Sequence, residues 1–201
     1  MDMKTSNPVP LRDRNKAKTR EAIMAAVARR LENDGLAQLS FTEIAREADV
    51  GESTVYRYYP NKDALLEAFW AWAPKAIQRD SFPANLEELR ARLATDFPRF
   101  DQREPLIRGM LASPQGRSAR MQTAAERQAA FRALIDHEVG PLPDAERDRL
   151  GAAIQLLYSA TAWATFKDYW NLDGAEAGQA AAEAIAALLD NARRKQRGPR
   201  D

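Results

Sequence analysis

Apolar residues in this chain recur at intervals of three and four and almost nowhere alternate singly. That spacing builds helices and leaves little for a sheet. Ile23, Val27 and Leu31 fall at i, i+4 and i+8, and Leu65, Leu66, Phe69 and Trp72 form another such face. Alanine, leucine, glutamate and arginine dominate. The expected fold class is all-α, with about nine helices counted from these periodic stretches.

Glycine, proline and asparagine punctuate the stretches. A helix expected over about 15–33 stops at Gly35. Ser40-Phe41-Thr42-Glu43 reads as a capping box, in which Ser40 accepts from the Glu43 N–H and Glu43 reaches back to Ser40. The short helix it starts ends at Asp49-Val50-Gly51, and a second runs from about Glu52 to Tyr58, stopped by Pro60. Further helices are expected over about 62–73, 84–100, 104–112, 117–138, 144–170 and 174–195. The resulting organisation is a flexible basic arm (1–13), a helix-turn-helix domain (14–61), a connecting helix (62–79), a larger helical domain (80–195) and a tail (196–201).

With 201 residues, 45% of them hydrophobic, a packed core is within reach. The net charge of +1 means that any grip on a polyanion must come from local clustering. There is no cysteine and a single histidine, His137, so disulfides, thiolate metal sites and multi-histidine sites are excluded. No apolar signal segment is visible at the N-terminus. The longest uncharged run, Leu150 to Phe166, is shorter than the roughly 20 residues that span a bilayer. It reads as one helix buried on most sides. The expected location is cytoplasmic, with no membrane partner.

Two short helices joined by a tight turn, residues 40–58, make a helix-turn-helix whose second helix can enter the DNA major groove. Asp49 stands at the turn, where a positive φ is needed and Asp tolerates it. In "STVYRYYPNK" the buried stripe is Val55 and Tyr59. Ser53, Thr54, Tyr56, Arg57 and Tyr58 are left outside, and hydroxyls and guanidinium bond phosphates and base edges. Lys62 opens the next helix, where its ammonium and the unpaired N–H groups could hold a phosphate. Exposed tyrosines and charges also occur on ordinary helices, so spacing alone leaves DNA binding and a plain surface as alternatives.

Residues 41–69, "FTEIAREADVGESTVYRYYPNKDALLEAF", resemble the DNA-binding segment of the TetR/AcrR family of bacterial transcriptional regulators. The resemblance rests on Ile44, Ala45, Ala48, Val50, Thr54, Tyr56, Lys62 and Leu65, with near-equivalents at Ser40, Val55 and Tyr59. It implies phosphate contacts from Thr54, Tyr56 and Lys62. It also implies variable base contacts from Glu52, Ser53, Arg57 and Tyr58. Thr42 stands where many members carry a basic residue, so its contact is expected to be weaker. Gly51 replaces a capping serine, and Glu52 brings a negative charge to the DNA-facing end, where it could accept from a cytosine amino group. The resemblance further implies a double-stranded operator, a homodimer and a small apolar or aromatic effector.

Residues 4–20 carry Lys4, Arg12, Arg14, Lys16, Lys18 and Arg20 against one acid, Asp13. Lys4 reads as a solvated tail residue, whereas Arg14, Lys16, Lys18 and Arg20 are candidates for phosphate or minor-groove contact. The expected dimer interface is a four-helix bundle from the last two helices of each protomer, carried by Leu150, Ile154, Leu157, Ile185, Leu188 and Leu189. A purely intramolecular core is the alternative. The expected effector pocket draws on Trp70, Phe97, Phe100, Met110, Met121, Phe131, His137, Tyr158, Trp163 and Phe166. Most such residues simply fill a core, and a lone histidine near a helix end is more often a surface or capping group.

No glycine-rich phosphate loop, Ser–His–Asp ordering or metal-ligand cluster is apparent. In Asp136-His137-Glu138 adjacent side chains diverge around a helix. Catalysis, cofactors and metals are therefore not expected. A sequence-nonspecific DNA protein is a second rival, opposed by the near-neutral net charge.

Overall fold

A computed structural model describes residues 11–76 and 81–197. Most of the expected arm, Lys4 included, and the end of the tail lie outside the described residues. Contacts divide the chain into two units, Met1–Ile77 and Gln78–Asp201.

The first unit holds α1 (Leu11–Asp34), α2 (Phe41–Glu47), α3 (Glu52–Tyr58) and α4 (Lys62–Ala76). Helix α1 starts at Leu11 rather than Asn15, because nothing after Pro10 breaks it. Ile23, Val27 and Leu31 of α1 are fully buried, as are Ile44 of α2, Val55 of α3 and Leu65 and Phe69 of α4. Burying a side chain of this size is worth about 1.5–3 kcal/mol. That burial holds α2 and α3, each far shorter than a helix that is stable alone in water.

The second unit holds α5 (Leu86–Gln102), α6 (Glu104–Ala112), α7 (Pro114–Gln122), α8 (Ala124–Glu138), α9 (Asp144–Leu157), α10 (Ala160–Trp170) and α11 (Gly174–Gln196). All eleven described elements are helices. The difference from nine comes from two divisions. The helix expected over 117–138 starts earlier, at Pro114 capped by Ser113, and breaks at Thr123. The helix expected over 144–170 breaks at Tyr158, and Ser159 caps α10 by accepting from Ala162 N at 3.2 Å. The Leu150–Phe166 run is therefore two helices, not one, and is not buried on most sides: Leu156 is 60% exposed.

Leu89, Leu93, Phe97, Phe131, Leu134, Ile154, Trp163, Ala181, Ile185 and Leu189 form the core of this unit. Helix α11 lies hard against α5. A Cβ on Gly178 would stand 2.7 Å from the Leu93 carbonyl oxygen, and one on Gly174 would collide with Phe97 O. Only glycine permits that approach. At one end of the pair, Asp101 accepts from Gly174 N at 2.6 Å, from Trp163 Nε1 at 2.9 Å and from Lys167 Nζ at 3.1 Å. One carboxylate thus joins α5, α10 and the start of α11. At the other end, Glu138 accepts from Leu86 N at 2.9 Å and pairs with Arg193. Arg108 adds a link from α6 to α10 through Asp168 at 2.5 Å.

Burial alone would raise the Asp101 carboxyl pKa, but the Gly174, Trp163 and Lys167 donors outweigh it and hold the value below the ordinary range. A depressed folded pKa stabilises the fold above the unfolded value, about 3.9, and that contribution is lost as pH falls through the folded value. Between about pH 5 and 3 the melting temperature should therefore fall more steeply for the wild type than for Asp101→Asn. Overpacking also gives a clear expectation: Gly178→Ala should cost about 1–3 kcal/mol, read as a lower denaturant midpoint. Gly51→Ala, whose Cβ would meet nothing nearer than 3.7 Å, should lose only the difference between a glycine and an alanine helix cap, about 1 kcal/mol.

Candidate nucleic-acid interface

The α2–α3 turn passes through Asp49 at φ 54°, the left-handed conformation expected for it. The Ser40 hydroxyl accepts from Glu43 N at 3.3 Å, but the second half of the expected capping box is replaced. The Glu43 carboxylate turns to Arg46 at 2.6 Å, and the guanidinium holds its pKa below the usual carboxylate range. Gly51 caps α3 with no side-chain bond, leaving the helix N-terminus to the adjacent Glu52 charge.

Two anchors fix which face of α3 is outward. Val55 is fully buried and Tyr59 is 9% exposed, with its phenol pKa raised by burial. Glu52, Ser53, Tyr56 and Arg57 are exposed, while Thr54 and Tyr58 are half-buried. The expected face is thus assembled on one short helix. Two of its members have partners across the turn. Thr42 Oγ1 donates to Glu52 Oε2 at 3.2 Å, and the Tyr56 ring packs on Phe41 with centroids 4.6 Å apart.

Beside them, two guanidinium groups approach the Tyr58 ring, Arg20 at 5.7 Å and Arg57 at 5.8 Å from its centroid. Sequence reading missed the supporting parts played by Phe41 and Arg20, because neither packs at a helical interval from the residue it touches.

Lys62 is exposed at the start of α4, and its ammonium donates to the Leu36 carbonyl at 2.9 Å. An ammonium has three donors, so this bond does not exhaust it. The N-terminus of α4 is capped by Asn61, whose Oδ1 accepts from Ala64 N at 2.9 Å. Asn before a periodic stretch is a cap signal that the sequence reading passed over.

The model for bacterial regulatory proteins of the tetR family matches residues 23–69. An HTH-type transcriptional regulator of Haemophilus influenzae is 47% identical over 49 residues, which are 24% of this chain and 26% of that protein. Over residues 23–69 the head of this chain is thus similar to the DNA-binding segment of tetR-family regulators. The whole fold is similar to that of a tetR-family transcriptional regulator from Streptomyces coelicolor, with a TM-score of 0.70 at 19% identity, covering 88% of this chain and 82% of that one. A TetR transcription regulator from Haloarcula marismortui gives 0.69 at 20% identity, covering 87% and 98%. The sequence match with the curated relative is thus confined to a segment of about a quarter of either chain.

In the second unit the expected pocket residues divide. Phe97, Phe100, Phe131, Tyr158, Trp163 and Phe166 gather in or against the core, the first five in edge and tilted ring contacts of 5.7–5.8 Å. Trp70 belongs to the first unit, buried beside Phe69. Met110 is half-buried on α6. Met121 is 63% exposed, and the His137 side chain is 66% exposed beside Glu138. These two point to solvent rather than into a pocket, being on the outer faces of α7 and α8.

The expected interface residues divide as well. Ile154 on α9 and Ile185 and Leu189 on α11 are fully buried in the chain's own core, the last two beside the close packing of α11 on α5. Leu150, Leu157 and Leu188 are half-buried.

The turn offers a direct check. Asp49→Gly should leave stability unchanged or raise it by up to about 1 kcal/mol, since glycine adopts a positive φ without strain. Asp49→Val should lower it by about 1–3 kcal/mol, measured by urea unfolding, because a β-branched residue is strained there.

Proposed function

We propose that this protein is a ligand-responsive transcriptional regulator, in its default mode a repressor. It binds a palindromic operator as a homodimer and is released by a small apolar or aromatic effector. The observation that carries the reading is the division of α3: Val55 and Tyr59 lock it to the head, while Ser53, Tyr56 and Arg57 are exposed and Thr54 is half-buried beside them. A seven-residue helix with hydroxyls and a guanidinium on one side suits phosphate and base-edge contact. Thr54, Tyr56 and Lys62 then hold the backbone, and Arg57, Ser53, Tyr58 and Glu52 read sequence. Ser40 and Thr42 flank the groove at the start of α2.

One such helix reads only a few base pairs, so two protomers place two copies about 34 Å apart. Uncharged surface on α9 to α11 supports the pairing. Leu156 is 60% exposed, and Ala180, Ala184, Ala187 and Leu188 leave a continuous stripe of small apolar residues on α11. The aromatic cluster of the second unit supports the effector class. An effector that prefers a conformation with wrongly spaced heads lowers operator affinity by its differential binding energy, typically about 1–3 kcal/mol. Repression follows from occluding a promoter.

A gel shift with the DNA upstream of the protein's own gene, challenged with excess random duplex, tests the reading. The operator complex should survive the challenge, and equal competition by random DNA would refute it. Lys62→Ala should weaken binding to every sequence and shallow the salt dependence by about one unit of slope. Arg57→Ala and Glu52→Gln should instead change which operator is preferred in a selection from random duplexes.

A further inference from the structure

From Ile23 onward the inward face of α1 is apolar. Continued backward at about 100° per residue, that same face carries Arg20, Lys16 and Arg12. All three are exposed, and among the described side chains of α1 the first that is buried is Ile23. The first turns of α1 therefore extend past the core, and where the core ends their inner face changes from apolar to cationic. Arg20 stands over the Tyr58 ring at 5.7 Å, which puts this face beside the C-terminal end of α3. Arg14 and Lys18 lie about 200° round the helix from Arg12 and Lys16, on the outer side. Asp13 is the one acid close to the inner face, about 20° from Arg20.

We propose that Arg12, Lys16 and Arg20 form a second DNA-contacting edge, which grips backbone phosphates outside the base pairs read by α3. The inference rests on the regulator reading and adds to it a footprint longer than the operator core. Its chemistry is charge complementarity without base readout, because arginine and lysine on an overhanging helix meet phosphates whatever the sequence. From Arg12 to Arg20 the helix advances about 12 Å, whereas one strand of a duplex presents a phosphate about every 3.4 Å of axis. The edge is long enough for several contacts. The pooled basic count of the N-terminus hides this asymmetry: alternate cations in the sequence serve opposite sides of the helix.

The test is fluorescence anisotropy across a salt series. It uses the full-length protein and a selected operator, once trimmed to its core and once flanked by about ten base pairs on each side. On the flanked duplex, the double variant Arg12→Ala/Lys16→Ala should shallow the slope of log affinity against log salt by about 1.8 per bound head, two contacts at about 0.9 each. On the trimmed duplex it should match the wild type. Arg14→Ala/Lys18→Ala should match the wild type on both, and the charge-keeping Arg12→Lys/Lys16→Arg should restore the slope. Equal effects of the two alanine doubles, or equal effects on both duplexes, would overturn the second edge while leaving specific operator binding in place. A wild type with no preference for any operator would overturn the regulator reading and the second edge together.

Discussion

Val55 is the contact on which the head depends. A helix of seven residues cannot hold itself together in water, since too few hydrogen bonds follow its nucleation. Helix α3 exists because one fully buried side chain at its middle, with Tyr59 one turn later, ties it to the core of the head. The same two anchors decide which residues of α3 are displayed. Display and folding are thus a single event: the residues that could touch DNA are those the anchors leave over. The turn before α3 helps by using an aspartate in a left-handed conformation, so the helix starts at a fixed angle.

The displayed face is partly engaged within the head itself. Glu52 accepts from Thr42, Tyr56 stacks on Phe41, and Lys62 bonds a carbonyl of the α1–α2 loop. These contacts are solvent-exposed and individually weak, on the order of 1 kcal/mol or less. They reduce the rotamer freedom that binding would otherwise have to remove. Glu52 gains most. A carboxylate beside phosphates is unfavourable, and a hydroxyl donor on one of its oxygens fixes where that charge sits.

Much of this could be read from the amino acids, and the misreadings have physical causes. Helical periodicity, glycine and proline stops, and the Ser40 cap were local signals, and they located α2, α3 and α4 well. The break at Thr123 has no glycine or proline to announce it, and Ser159 was a cap signal lying inside an uncharged run. Ile154, Ile185 and Leu189 lie on helical stripes, which say that a face is buried but not by what. Packing within the second unit, that of α11 on α5 for the last two, claimed them for the chain's own core. Met121 and His137 were grouped by residue type alone, and type does not give direction. In the head, α3 needed both the alternation of anchors and a resemblance to known regulators. Phe41 and Arg20, remote in sequence from the rings they meet, needed coordinates.

The glycines at 174 and 178 bring two helix backbones into direct touch, leaving no layer of side chains to act as a lubricant between them. Sliding one past the other would drive carbonyl oxygens into Cα atoms. The pair consequently behaves as a keel, and any rearrangement within the second unit must be made by the helices hung around it.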